Sequence, residues 1–278
     1  MKNDNKKVQE MTLDLLKEFI RICKDNNLTY FVSGGSLIGV MRHKGFIPWD
    51  DDIDIVMPRN DYNKFIEIMH KLNNDKIGIC DRYTNKEWHY DLCQFINKDV
   101  EIEIDLAAEK RKANVWIDVF PLDGLPNKRI KRWFRIKHIL FLRYKIQIAN
   151  IDKQIDCHRK RPWYEKIVIR ICSIIKIGRL FNIDKNLDKL EKTLQKSNYY
   201  ESNYVGNMLG RYREREVVPR RYFGTPTIGV FEKEKVNIPE QSDNLLKCLY
   251  GDYMKLPPEN ERVGHNVRII TKKEKHRL

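Results

Sequence analysis

The sequence contains no CxxC pair and no zinc-like cysteine spacing. Its six cysteines, Cys23, Cys80, Cys93, Cys157, Cys172 and Cys248, are scattered along 278 residues. An even count permits three disulfides in a secreted chain, but positions without a framework read as reduced thiols. A secretory leader is missing too: MKNDNKKVQEMTLDLLKEF is polar and then amphipathic, with no uninterrupted apolar stretch before a small-residue cleavage site. Together these absences place the chain in the cytoplasm. Long hydrophobic runs are also lacking. The most apolar segment, residues 167–180, is broken by Arg170, Lys176 and Arg179 and falls short of the roughly 20 apolar residues that span a bilayer. Attachment to the inner face of a membrane remains open. Finally, there is no internal repeat, no GxxxxGK[ST], no HExxH and no complete GxGxxG with its acidic partner, so P-loop, zincin and Rossmann readings lack their signatures.

Acidic residues are in deficit, 39 against 53 basic, leaving a formal charge of +14. Such a chain is drawn to phosphate-rich partners: nucleic acid, nucleotides or anionic lipid. Charge alone does not choose among them. With 41% hydrophobic residues the chain can build a full core.

Val8, Met11, Leu15, Leu16, Phe19, Ile22 and Cys23 recur at helical spacing, predicting an amphipathic packing helix that ends near Asp25 to Asn27. Residues 29–33 read as a short strand, and Gly34-Gly35-Ser36 turns it into a helix-suited apolar segment at 37–41. A second strand is expected over Asp52 to Met57, with Pro58 starting another helix that contains Tyr62, Phe65, Ile66, Met69 and Leu72. From Lys76 to Phe120 the pattern becomes short strands, IGIC, DLCQFI, EIEIDL and VWIDVF, which predict a mixed sheet. Basic amphipathic helices follow over 128–195, and then a strand-and-loop piece, a short helix and a Pro-bounded tail. The fold class is α+β, with a core at 1–127, a basic helical subdomain at 128–198 and a C-terminal part at 199–278.

Strand side chains alternate, so a strand over Asp52 and Asp54 points both carboxylates to one side. Charges held so close repel and raise each other's pKa unless a cation sits between them, which a Mg²⁺ or Mn²⁺ site supplies. Gly34, Gly35 and Ser36 have the form of a glycine turn whose backbone N–H groups receive a phosphate. Asp118 lies in the apolar strand VWIDVF, where an ionised side chain is costly without a partner. Glu101, Glu103 and Asp105 share one face of EIEIDL and read as the solvated face of an edge strand.

The segments GGSLIGVMRHKGFIPWDDDIDIVMPR (34–59), WIDVFPLDG (116–124) and YGDYMKLPP (250–258) closely resemble, in this order, the LicD family. The resemblance implies a nucleotidyltransferase-like mixed β-sheet core, shared with fukutin and fukutin-related protein. It also implies transfer of a phospho-substituent from a CDP-linked donor: phosphocholine from CDP-choline, or ribitol phosphate in the fukutin relatives. Carried onto this chain, it puts the metal-binding acids on Asp52 and Asp54, the third acid on Asp118, to complete the metal shell or to accept the proton of the attacking hydroxyl, and the phosphate turn on Gly34, Gly35 and Ser36. Arg42 and Lys44 resemble the family's basic loop residues and would balance the diphosphate. The cofactor implied is Mg²⁺, with Mn²⁺ as alternative; no zinc ligands are evident. The acceptor would be a hydroxyl of a cell-surface glycan or its lipid-linked precursor, of teichoic acid or lipopolysaccharide type.

Other readings are ribitol phosphate or glycerol phosphate transfer, nucleotidyl transfer to a small molecule, and a basic nucleic-acid-binding protein. The acidic pair argues against the last, so no nucleic-acid partner is expected. For the basic helices near 128–180, peripheral membrane association and a packed helical lid are both open. Trp49, Trp88, Tyr90 and Trp116 are the aromatic candidates for a choline group.

Overall fold

The computed structural model describes residues 2–85, 88, 92–104, 111–149, 182–262, 264 and 267–272. The first helix, α1 (Lys2–Asp25), forms as its periodicity predicts. It buries Val8, Leu15, Leu16, Phe19, Ile22 and Cys23. Phe19 is the keystone: its ring meets Phe65 at 5.2 Å and Phe95 at 5.9 Å, both edge-on, joining α1 to a helix and a strand of the main core. Such aromatic pairs add about 0.5–1.5 kcal/mol beyond the area they bury.

After the two-residue β1 (Phe31–Val32) come the short α2 (Gly34–Ile38) and one π-turn, Gly39–His43. The second strand, β2 (Asp54–Pro58), starts two residues later than expected. Asp52 lies in the extended lead-in, where β1 offers no ladder partner, since β1 pairs only with Ile55 and Val56. Pro58 does not open α3 (Arg59–Lys71) but ends β2, opposite Leu122, and serves as the helix N-cap. A proline costs nothing at a position that donates no ladder bond.

Beyond β3 (Ile77–Cys80), the expected short strands fuse. DLCQFI and most of EIEIDL form one strand, β4 (Cys93–Ile104), with a register shift between Asn97 and Glu101. A bulge of this kind carries one strand through two apolar phases that read as separate elements in sequence. VWIDVF lies inside the long β5 (Arg111–Leu125). The β4 segment around Glu101 and Glu103 is not an edge. It is paired on its other side by β10 (Val267–Lys272), a C-terminal strand the sequence pattern did not reveal. Asp105 lies outside the described residues.

The main sheet runs β1-β2-β5-β4-β10, with β3 on β4, and with β6 (Tyr204–Gly206) and β7 (Val217–Pro219) extending from the far end of β5. It is mixed: β2 and β5 are parallel, while β4 is antiparallel to β5. A hairpin of β8 (Thr227–Phe231) and β9 (Glu234–Ile238) and the helix α6 (Ser242–Tyr250) complete the main core.

A second cluster packs α4 (Arg129–Ala149) on α5 (Ile183–Leu194). Ile139, Leu142 and Ile146 meet Leu187, Leu190 and Leu194, and Leu125 of β5 and Met208 of the turn after β6 cap them. The expected helices of residues 150–181 lie outside the described residues. Among the described residues no helix is long and apolar enough to cross a membrane.

Candidate active site

The parallel ladder of β2 and β5 sets Asp54 directly against Asp118. The amide of Asp118 donates to the carbonyl of Ile53 at 3.0 Å, extending the pairing one step toward Asp52. The result is three partly exposed carboxylates, Asp52, Asp54 and Asp118, each offering an oxygen within 4.8 Å of the others. Asp52 and Asp54 meet although Asp52 is not in the strand, because the extended lead-in preserves the side-chain alternation.

Each acid is held by identifiable partners. Asp118 accepts from Gln94 Nε2 at 2.9 Å and from Trp116 Nε1 at 3.1 Å. Gln94 is its cross-strand neighbour on β4, and Trp116 stands two residues back on the same face of β5. Below Asp54, the buried Ser36 accepts the Asp54 amide proton on its Oγ at 2.9 Å, so Ser36 ties α2 to the start of β2. Gly34 has φ +58, and a Cβ there would land on Asp54 Oδ2. At Gly35 it would stand 2.9 Å from Asp50 Oδ2. Only glycine lets this turn lie against the two carboxylates. From the other side α1 grips the loop: Gln9 Nε2 donates to the Asp50 carbonyl at 2.7 Å, and Thr12 Oγ1 reaches the Asp51 carbonyl at 3.4 Å. The first helix therefore orients the acidic loop as well as packing.

At the other end of this ladder, one step past its last rung Pro58–Leu122, Arg59 and Asp123 form a buried bidentate pair at 2.6 and 2.8 Å. Because Arg59 follows β2 directly and Asp123 lies in β5, the pair fixes the register that brings Asp54 opposite Asp118.

Electrostatics mark the same spot. Burial, then the charges of Asp52, Asp118, Asp50 and Glu216, push the Asp54 carboxyl well above the usual range. Burial likewise raises Glu216 to about 7, opposed by the Tyr212 amide and Arg143. Tyr250 is raised by burial and then by the charge of Asp54. Glu216 Oε1 accepts the Tyr212 amide at 2.9 Å, and the Tyr212 and Tyr250 rings meet edge-on at 5.1 Å. Sequence reasoning missed this group. Glu216 sits in the charge run RYRERE, which reads as solvated surface, and only Tyr250, inside YGDYM, carried a motif signal.

Arg42 lies in the π-turn Gly39–His43 and Lys44 directly after it. Arg42 donates to the carbonyls of Tyr253 at 2.5 Å and Lys255 at 3.3 Å, pinning the C-terminal segment to the loop. Lys44 is exposed, in the left-handed region at φ 61, and its carbonyl accepts the Glu232 amide at 2.7 Å. Glu232 Oε1 accepts the Phe46 amide at 3.1 Å, a structural tie.

The aromatic candidates have work of their own. Trp49 is faced by Arg262 at 5.4 Å, the buried Trp88 donates to the Leu92 carbonyl at 2.9 Å, and Trp116 holds Asp118. Tyr90 lies outside the described residues.

An all-oxygen carboxylate cluster is the donor set of a hard divalent cation such as Mg²⁺ or Mn²⁺, and the raised Asp54 carboxyl is what such acids show when no cation separates them. The residues thus fit a divalent metal.

Residues 27–138 match the family model described as LicD/FKTN/FKRP, nucleotidyltransferase domain. The chain is 29% identical over 269 residues to the lipopolysaccharide cholinephosphotransferase LicD of Haemophilus influenzae, covering 94% of this chain and 95% of that protein. It is 25% identical over 161 residues to an uncharacterised protein of Rickettsia prowazekii, covering 56% and 55% of the two chains. A protein of Rickettsia typhi is 38% identical over 72 residues, 23% of each chain.

Proposed function

We propose, from the match of residues 27–138 to the LicD/FKTN/FKRP nucleotidyltransferase family model, that this protein transfers phosphocholine from CDP-choline to a hydroxyl of a cell-surface glycan or its lipid-linked precursor. The observation that carries the reading is the convergence of Asp52, Asp54 and Asp118 inside that domain. The near end-to-end similarity to a lipopolysaccharide cholinephosphotransferase supports the choice of group transferred.

Asp52, Asp54 and Asp118 would hold a divalent cation, Mg²⁺ or Mn²⁺. When bound, it supplies charge neutralisation to the donor diphosphate and to the departing CMP. Asp118 receives two hydrogen bonds, from Gln94 and Trp116, which fix the direction of its carboxylate, as a metal ligand's outer partners do. The glycine turn at Gly34 and Gly35 lets the backbone approach the acids closely, and Ser36 anchors Asp54 from below. For the outer alcohol, the edge-on Tyr212 and Tyr250 with Glu216 form an aromatic and acidic group within the electrostatic reach of Asp54. A quaternary ammonium has no donor hydrogen and is recognised by such ring faces and nearby negative charge.

The test is isothermal titration with CDP-choline, CDP-ribitol, CDP-glycerol and CTP, with and without Mg²⁺, on wild type and the Asp52→Asn/Asp54→Asn variant. Metal-dependent, selective CDP-choline binding that the variant loses is the expected result. Preference for CTP, or indifference to metal, overturns the reading. With an acceptor in hand, release of CMP rather than pyrophosphate identifies the bond that breaks.

A further inference from the structure

The helix α4 buries one face and leaves the opposite face apolar as well. Ile139, Leu142 and Ile146 point into the second core. About half a turn away around the axis, Ile130, Trp133, Phe134, Phe141 and Tyr144 stand in solvent, from 53% exposed at Trp133 and Phe141 to 73% at Ile130. Their spacing, i, i+3, i+4, i+11 and i+14, keeps them in one stripe of about 100° on a helix with 3.6 residues per turn. No other described helix exposes so many large apolar side chains.

The helix's own charges have one sign, and Glu214 of the neighbouring loop reaches the stripe only as the ion-pair partner of Lys137, at 3.3 Å. The helix contains no Asp or Glu. Lys131, His138 and Lys145 flank the stripe on one side and Arg129 on the other, while Lys137 interrupts it. Lys145 Nζ sits 4.3 Å from the Phe141 ring centre, a cation–π contact that puts a positive charge at the edge of the stripe itself. At the start of the helix a groove of about 700 Å³ is lined by Arg129, Ile130, Arg132, Trp133 and Ile136.

We infer that this face of α4 seats the protein on an anionic lipid bilayer, with the aromatic stripe in the headgroup layer and the flanking cations on lipid phosphates. The stripe is convex, so a partner must yield around it, which a lipid interface does and a rigid protein surface does not. Trp and Tyr are the side chains favoured at this depth, and a helix of 21 residues, about 30 Å long, presents its length in the plane of the interface. Basic flanks select anionic headgroups, each cation strengthening attraction within a Debye length of the surface. Self-association through this face would stack like charge on like charge. The inference stands independently of the phosphocholine reading. It has one consequence for the site: Arg143, on α4, donates to the carbonyls of Met208, Leu209 and Gly210, so the membrane-facing helix grips the loop leading to Tyr212 and Glu216.

Co-sedimentation of the full chain with vesicles tests it, using phosphatidylcholine alone and phosphatidylcholine mixed with phosphatidylglycerol. Wild type is expected to partition onto the mixed vesicles and to be released by salt. Trp133→Ser/Phe134→Ser/Phe141→Ser keeps every positive charge and should bind at least tenfold more weakly. Lys131→Glu/Lys145→Glu keeps the aromatics and should lose the preference for anionic lipid. All five positions lie away from the buried face, and circular dichroism with a thermal melt verifies that the variants fold. If the aromatic variant binds as wild type does, the bulk positive charge and not this face is responsible, and the inference falls. It falls equally if wild type ignores anionic vesicles, or if sedimentation shows a dimer that the aromatic variant breaks.

Discussion

Asp54 on β2 and Asp118 on β5 are register partners in the parallel strand pair of the sheet. Their carboxylates share a space small enough for one cation with that of Asp52. Two residues that strand pairing makes neighbours thus define the site, and the groups that hold them there can be tested separately.

Gln94 and Trp116 each donate to one oxygen of Asp118. Outer partners of a metal ligand orient it, and removing one costs about 10- to 100-fold in metal affinity. Gln94→Leu and Trp116→Phe should each weaken Mn²⁺ binding by about that factor while leaving the melting temperature nearly unchanged, as titration with Mn²⁺ would read.

Gly34 combines a left-handed backbone with a position where a Cβ would meet the Asp54 carboxylate. Gly34→Ala should lose about 1–2 kcal/mol from the backbone conformation alone. It should also displace Asp54, so metal affinity falls along with stability. Denaturant unfolding paired with the same Mn²⁺ titration separates this from the Gln94 and Trp116 variants, where only affinity moves.

Arg59 and Asp123 make a buried two-pronged pair at the far end of the ladder that begins with the facing acids. Removing one charge strands the other, at a cost of about 3–5 kcal/mol, whereas replacing both with apolar groups is often tolerated. Asp123→Ala should therefore shift the unfolding midpoint sharply. Arg59→Met/Asp123→Leu should recover much of that loss in the same denaturation series.

Glu216 is raised by burial from an ordinary 4.5 to about 7. The folded state then holds a proton that the unfolded state releases, so this group's contribution is fully present below about pH 4.5 and is lost as pH rises through about 7. Glu216→Gln should remove that dependence. The metal-free variant should lose less stability than wild type between pH 4.5 and 7, measured by denaturation across that range. A parallel slope in the two proteins would show that Glu216 ionises freely in the fold.

The sequence by itself determined much of this protein. The period of α1, the glycine turn, the acidic pair and the apolar strand around Asp118 are local signals, because amphipathic spacing and turn chemistry act within a few residues. The three segments resembling LicD added the order of those pieces, and the first two lie within the residues, 27–138, that match the family model. Tertiary structure alone decided what lies next to what. Strand pairing placed Asp118 opposite Asp54 and Gln94 beside Asp118, and the Arg59–Asp123 pair set that register. A bulge joined two apparent strands into β4, and β10 closed over what read as an edge. Glu216 was illegible for the same reason. A carboxylate in a charge run looks solvated until the fold buries it beside Tyr212 and within reach of Asp54, and burial and neighbouring charge belong to no single segment. On α4 the sequence showed basic and apolar residues mixed; only packing against α5 settled which apolar residues the core takes and which are left facing out.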